Sequence, residues 1–170
     1  MNDKLQVYII SGCSGSGKTT LAKGLVENIS ETALISGDIV RDFYADKYVE
    51  WGRKYDLTWQ NILLLTENFL NNNISAVIEY LYAYEDEIEK IYQISKKHNA
   101  DMRYIVLTAS EAAIKDRLIS RGDPHLIEKA LNMQMTATKN KFNKPYLFDG
   151  TDLTIETQIR DIKNTGLYPH

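Results

Sequence analysis

Residues 12–19 read Gly12-Cys13-Ser14-Gly15-Ser16-Gly17-Lys18-Thr19, a complete G-x-x-x-x-G-K-[ST] pattern, and Thr20 follows. Glycines at 12, 15 and 17 leave a backbone free to curl, so that successive N–H groups turn inward around an anion. A helix starting at Lys18 adds its unpaired N–H groups and the positive end of its dipole. In such a loop the lysine reaches the outer phosphates of a nucleoside triphosphate and the threonine hydroxyl ligates Mg²⁺. Residues Gly12 through Thr20 are therefore the candidate nucleotide-binding set, with ATP and Mg²⁺ as the expected occupants. Ser14 and Ser16 also suit the loop simply by being small. Cys13 reads as a small filler, since no base near it in sequence would activate a thiol. Gly12, Gly15 and Gly17 miss the G-x-G-x-x-G spacing of a dinucleotide site. The segment 140–143 (NKFN) has an Asn-Lys pair but lacks the aspartate and strand context of a guanine-reading segment, which favours ATP over GTP.

Two acids stand at the expected ends of strands, where parallel sheets gather functional groups. Asp38 follows LISG; Glu79 ends SAVI. A carboxylate in reach of an acceptor hydroxyl can orient it and take its proton late in phosphoryl transfer, and Asp38 is the first choice for that role. Its plainer reading is a helix N-cap. Glu79 is expected in the metal shell or against substrate, with a buried structural acid paired to a cation as the plainer reading. Arg41 lies one turn beyond Asp38 and suits an acceptor carrying phosphate or carboxylate, or a simple i,i+3 pair.

Arg117 and Arg121 share a helix face and are expected to neutralise charge developing on the transferred group, from a segment that closes over the site with its hinge at residues 121–125. Surface helices also carry arginines without such a role. Among the aromatics, Tyr80, Tyr82, Tyr84, Trp51 and Tyr55 suit a pocket for a ring-bearing acceptor or the core, whereas Trp59 reads as core. Asp149 is expected to be structural or to frame the base-binding loop. His98, His125 and His170 have no ligand spacing, so no zinc site is expected.

The elements that must position these residues alternate. Strands are expected at 5–10, 32–36, 74–81, 102–108 and 145–150 from their β-branched and aromatic content. Helices are expected from Lys18 (Leu21, Leu25 and Ile29 inward), over 38–49, 57–73 (Ile62, Leu65 and Phe69 on one stripe), 85–99, 110–122, 123–142 and 154–164 (Ile155, Ile159 and Ile162 inward). Asp123 is the expected cap of the sixth, with Pro124 at its first position. This alternation implies a mostly parallel sheet covered on both faces.

At 170 residues the chain matches one domain, and 44% hydrophobic with 25% charged residues excludes extended disorder. A net charge of -3 disfavours a large nucleic-acid footprint, and the short basic runs 96–98 and 139–144 read as solvated surface. One cysteine leaves no internal disulfide, no stretch is apolar enough to span a membrane, and the first residues carry acid where a signal peptide has base. A cytoplasmic monomer or homodimer is expected.

Taken together, GCSGSGKTT, SGDIVRDFY and KDRLISRG resemble the small P-loop kinases of the nucleoside-monophosphate-kinase-like group, which includes shikimate, gluconate and chloramphenicol phosphotransferases. Locally the chain is similar to polynucleotide 5′-kinases, where an aspartate follows the second strand and an arginine lies three residues on. The resemblance implies a three-layer α/β/α domain over residues 1–170, a five-stranded parallel sheet of order 2-3-1-4-5 and a short lid around 115–130. It implies that Asp38 activates the acceptor hydroxyl, Arg41 contacts a substrate phosphate, and Arg117 and Arg121 hold ATP phosphates or lie near adenine. The loop at Gly150 and Thr151 would border the base. Gly37 departs from the bulkier residue usual in polynucleotide kinases, and SGD departs from the paired aspartates of shikimate kinases. The leading expectation is ATP-dependent phosphorylation of a hydroxyl on a small molecule. A nucleotide or nucleic-acid 5′ end as acceptor, and an ATP-binding regulatory module without a formed acceptor pocket, are the alternatives.

Overall fold

The computed structural model describes residues 4–45 and 48–169. Five strands, β1 (Gln6–Gly12), β2 (Thr32–Ser36), β3 (Ser75–Tyr80), β4 (Asp101–Thr108) and β5 (Leu147–Asp149), form a sheet in the order β2-β3-β1-β4-β5. Every pairing is parallel. Among the described residues seven α-helices connect and cover them: α1 (Lys18–Glu27), α2 (Gly37–Asp42), α3 (Trp51–Asn71), α4 (Glu85–Lys97), α5 (Glu111–Ser120), α6 (Ile127–Lys139) and α7 (Ile155–Lys163). The expected three-layer domain and strand order are both present.

The two sheet faces bury separate apolar sets, because successive strand residues point to opposite sides. Tyr8, Ile10, Val77, Ile105 and Leu107 pack under α1 and α7 with Leu21, Leu25, Ile159 and Ile162. Val7, Ile9, Ile35, Ile78 and Val106 face Trp59, Ile62 and Leu70 of α3 and Ile88 and Ile91 of α4. Trp59 is core, as its position suggested. The inward stripe of α3 differs from the expected one: Ile62, Thr66 and Leu70 are buried, while Leu65 and Phe69 are only partly so. The buried Thr66 is tolerated because its hydroxyl donates to the Ile62 carbonyl at 2.7 Å.

Several boundaries move. The helix expected over 38–49 ends at Asp42; residues 46 and 47 lie outside the described residues, as do Met1–Asp3 and His170. Helix α3 starts at Trp51, a full turn and more before Leu57. The helix expected from Asp123 is a 3-10 turn (Pro124–Leu126) that passes into α6, and Asp123 makes no side-chain cap. Its carboxylate accepts from Arg121 at 3.0 Å instead. Before that turn α5 ends at Ser120, and Gly122, whose φ of +80° suits glycine, lets the Asp123 N–H reach back to the Leu118 carbonyl at 2.9 Å.

Gly37 has a packing reason invisible in the local sequence. A Cβ there would lie 2.2 Å from Cγ and Cδ2 of Tyr80, a ring only 1% exposed. Tyr80 in turn stacks on Tyr55, with centroids 6.2 Å apart, and meets Trp59 edge-on at 5.8 Å. The start of α2 is thus set against an aromatic cluster that cannot yield easily. Gly37→Ala is expected to destabilise the fold by about 1–3 kcal/mol through overpacking, read as a lower denaturant midpoint at unchanged slope. An unchanged midpoint would mean that α2 sits away from Tyr80 in solution.

Candidate active site

The loop between β1 and α1 has the curled backbone its glycines allow: Gly15 has φ +80° and Gly17 φ +102°. A side chain at Gly12 is excluded, since its Cβ would lie 2.5 Å from Ser16 Oγ and 2.9 Å from the Leu107 carbonyl oxygen. Helix α1 opens on Gly17 with no side-chain cap and no acid in its first turn. The amides that a serine or aspartate cap normally occupies are left facing the loop, the condition for an anion site. Ser16 Oγ is buried without a hydrogen-bond partner among the described residues. Lys18 is 7% exposed, so its ammonium is held in the loop rather than in open solvent. These features fit a polyphosphate: an uncapped helix start, one buried cation and no acid on the loop itself.

Parallel register brings the second half of the site together. Ser36 of β2 pairs with Glu79 of β3, and Ile10 of β1 flanks Glu79 on the other side. The Ser36 hydroxyl donates to Glu79 Oε1 at 2.6 Å and the Thr19 hydroxyl donates to Oε2 at 3.3 Å. The expected alternative, a buried acid paired directly to a lysine or arginine, is not what holds Glu79. At 2% exposure its carboxyl is pushed above the ordinary glutamate value by burial, against the two hydroxyl bonds and the nearby Lys18 charge. Thr19 and Glu79 together can hold a divalent cation beside the phosphate loop, and that cation would relieve the buried charge.

The burial of Glu79 has a measurable consequence. A carboxyl whose folded pKa exceeds its unfolded value favours the native state while both forms are protonated. That contribution falls as the pH rises from the ordinary glutamate value through the raised one, and the penalty then stays constant. Glu79→Gln is therefore expected to raise the metal-free melting temperature at neutral pH while weakening magnesium-dependent nucleotide binding. A variant less stable than the parent at neutral pH would show that the two hydroxyl bonds outweigh the desolvation.

Asp38 sits in the first turn of α2, two residues too late to be the cap, which is Ser36 by position. Its side chain is 46% exposed and Oδ1 accepts from Arg41 at 2.7 Å. Arg41 also donates through Nε to Asp42 at 3.0 Å, so two of its five N–H donors meet carboxylates. Arg117 donates to the carbonyls of Gly15 and Ser16 at 3.1 and 3.0 Å, bracing the loop from its outer side. Arg121 lines the same cavity of about 380 Å³ as Gly15, Lys18, Thr19 and Arg117. Asp149 ends β5, accepting the Thr151 N–H at 2.9 Å, and Thr151 Oγ1 accepts from Ser110 N at 2.8 Å.

A second, larger cavity of about 840 Å³ opens between the start of α3, the β3–α4 loop and α6. Trp51, Tyr55, Tyr82 and Tyr84 supply its aromatic surface. Tyr82 also packs against the apolar cluster containing Cys13, which ties this cavity to the phosphate loop. Cys13 is fully buried, and burial raises its thiol pKa, the inert state of a filler. Helix α6 is fastened over this region by Gln134, whose amide brackets Ala109: it accepts from the N–H at 3.0 Å and donates to the carbonyl at 2.7 Å. Nothing in the sequence around Gln134 distinguishes it from a surface glutamine. Segment 140–143 is structural, for Asn143 is buried, accepts from the Tyr104 hydroxyl at 3.1 Å and donates to the Ala137 carbonyl at 3.2 Å.

A parallel sheet in this order, with a phosphate-gripping loop leaving its central strand, defines a P-loop domain of the small-kinase type. Residues 7–144 match the family described as AAA domain, and the chain belongs to that family. Among solved structures, the tunicamycin resistance protein of Deinococcus radiodurans is similar at 13% identity and TM-score 0.71, over 98% of this chain and all (100%) of that one. Shikimate kinase from Bacteroides thetaiotaomicron is similar at 17% identity and TM-score 0.64, covering 93% of this chain and 96% of that one. A gluconokinase from Sinorhizobium meliloti is similar at 14% identity and TM-score 0.60, covering 92% of this chain and 89% of that one. Among the described residues no helix is long and apolar enough to cross a membrane.

Proposed function

We propose that this protein is an ATP-dependent phosphotransferase that moves the γ-phosphoryl group to a hydroxyl of a small molecule. The observation that carries the proposal is the pairing of an uncapped, glycine-opened helix start bearing a buried Lys18 with the buried acid Glu79 bonded to Thr19. The loop amides and Lys18 hold the phosphates, and Thr19 and Glu79 hold Mg²⁺. Bound magnesium neutralises charge on the outer phosphates. Asp38 orients the acceptor hydroxyl and accepts its proton as the new phosphorus–oxygen bond forms and the bond to ADP breaks. Its exposure leaves it accessible from outside, and Arg41 fixes its orientation through Oδ1.

Arg117 and Arg121 border the phosphate cavity and offset charge developing on the transferred group. The similar fold of shikimate kinase and gluconokinase supports the reaction class. A formed second cavity supports an enzyme over a regulatory module, for which no acceptor pocket is needed. The test is ³¹P NMR of ATP and Mg²⁺ with the protein and a hydroxyl-compound panel. A new phosphate-ester signal with stoichiometric ADP supports the proposal; ADP and free phosphate alone, whatever is added, contradict it.

A further inference from the structure

We infer that the acceptor is a hydroxylated ring compound without negative charge, seated in the larger cavity against Trp51 and Tyr55. This rests on the phosphotransferase reading above and narrows its substrate class. An anionic acceptor needs guanidinium or ammonium groups free to meet it, since an unpaired buried anion is costly. The three arginines named for this site each have a partner or a place at the nucleotide. Arg41, the arginine closest to Asp38 in sequence, is held by Asp38 at 2.7 Å and Asp42 at 3.0 Å. Arg117 and Arg121 line the phosphate cavity, where the proposed reaction gives them to the nucleotide.

Within the larger cavity, the described lining contains no arginine. Its one lysine, Lys129, lies over the Trp51 ring at 5.7 Å. Asp56, Glu128 and His125 line the same cavity, so carboxylates outnumber ammonium groups there while the imidazole is neutral. That field repels phosphate and carboxylate and tolerates neutral or aminated molecules.

The aromatic surface says what shape it takes. Trp51 is 52% exposed at the mouth, whereas Tyr55 is nearly buried and held by Trp59, Tyr80 and Tyr84 with centroids 5.7–6.3 Å away. A fixed ring inside and an open ring at the rim offer flat faces for a planar base or the apolar face of a sugar. Asn132, on α6, adds amide donors and acceptors suited to hydroxyls. A volume of about 840 Å³ accommodates a molecule of one or two rings. Tyr80 packs against both Tyr55 of the cavity wall and Gly37, which links that wall to the turn bearing Asp38.

The test measures tryptophan fluorescence without nucleotide, using matched pairs: thymidine against thymidine 5′-monophosphate, and glucose against glucuronate, with glucosamine as the cationic arm. The uncharged or aminated member of at least one set is expected to shift the emission, with the anionic member about tenfold weaker, and the signal is expected to vanish in Trp51→Phe. Trp51→Ala should raise the KM for that acceptor about tenfold and leave the KM for ATP unchanged. Glu128→Lys, on the exposed side of α6, should narrow the gap between the paired compounds; an unchanged gap counts against the field described here. Equal or tighter binding of an anionic member, or no response to any uncharged or aminated member, overturns the inference. Loss of all nucleotide binding alongside selective ring binding would instead sink the phosphotransferase reading and leave the cavity assignment standing.

Discussion

Asp38→Asn is expected to lower phosphoryl-transfer turnover by about 10²–10⁴-fold, the usual contribution of a positioned base, with ATP affinity essentially retained. Asparagine keeps the size and a carbonyl oxygen able to accept from Arg41, so the 2.7 Å contact that orients position 38 survives. What it loses is the capacity to take the acceptor proton. Stability should barely move, because the Asp38 side chain is about half exposed and an exposed ion pair contributes little. Turnover and nucleotide Kd, measured side by side, decide the matter. A parallel fall in both would make Asp38 a structural residue of α2.

The second large effect is expected at Lys18. Its ammonium is the loop's own cation, it is almost fully buried, and Arg117 is already committed to the carbonyls of Gly15 and Ser16. Lys18→Met keeps the length of the side chain and removes the charge. Turnover should drop by about 10²–10³-fold, as when one preorganised electrostatic contact to the transition state is deleted, and nucleotide affinity should fall with it. This joint loss separates Lys18 from Asp38, whose variant keeps its nucleotide. Normal ATP binding by Lys18→Met would place the phosphates elsewhere.

The parts legible in the sequence were those written locally. Residues 12–19 announce the loop because its backbone shape demands glycine at set positions, and the β-branched runs announce the strands that hold it. Asp38 and Glu79 could be placed at strand ends for the same reason, since strand ends are visible wherever apolar runs stop. What joins them was not visible. The Thr19–Glu79–Ser36 bridge depends on register between β2 and β3, and Gly37 depends on a tyrosine 43 positions away that the sheet folds back against it. The i,i+3 spacing of Arg41 from Asp38 makes their pairing legible, but not the second carboxylate that Arg41 meets. The structure turns the Nε of Arg41 to Asp42, its immediate neighbour.

Helix ends are not legible in the sequence where no glycine or proline marks them. Helix α2 stops at Asp42 without such a signal, and α3 begins at Trp51, where an aromatic residue starts a helix with no side-chain cap. At residues 122–126 the glycine and proline are present, yet they build a 3-10 turn rather than a clean restart. Gln134 is the most consequential residue without a sequence signal. Its grip on Ala109 sets α6 over the larger cavity, and a surface glutamine looks the same in a linear reading.

Calorimetric titration of the purified protein with ATP, with and without Mg²⁺, addresses the central claim most directly. One nucleotide per chain should bind, markedly more tightly with magnesium, and Lys18→Met should abolish the heat. Absence of any magnesium-dependent heat from the wild-type protein would contradict the account at its base.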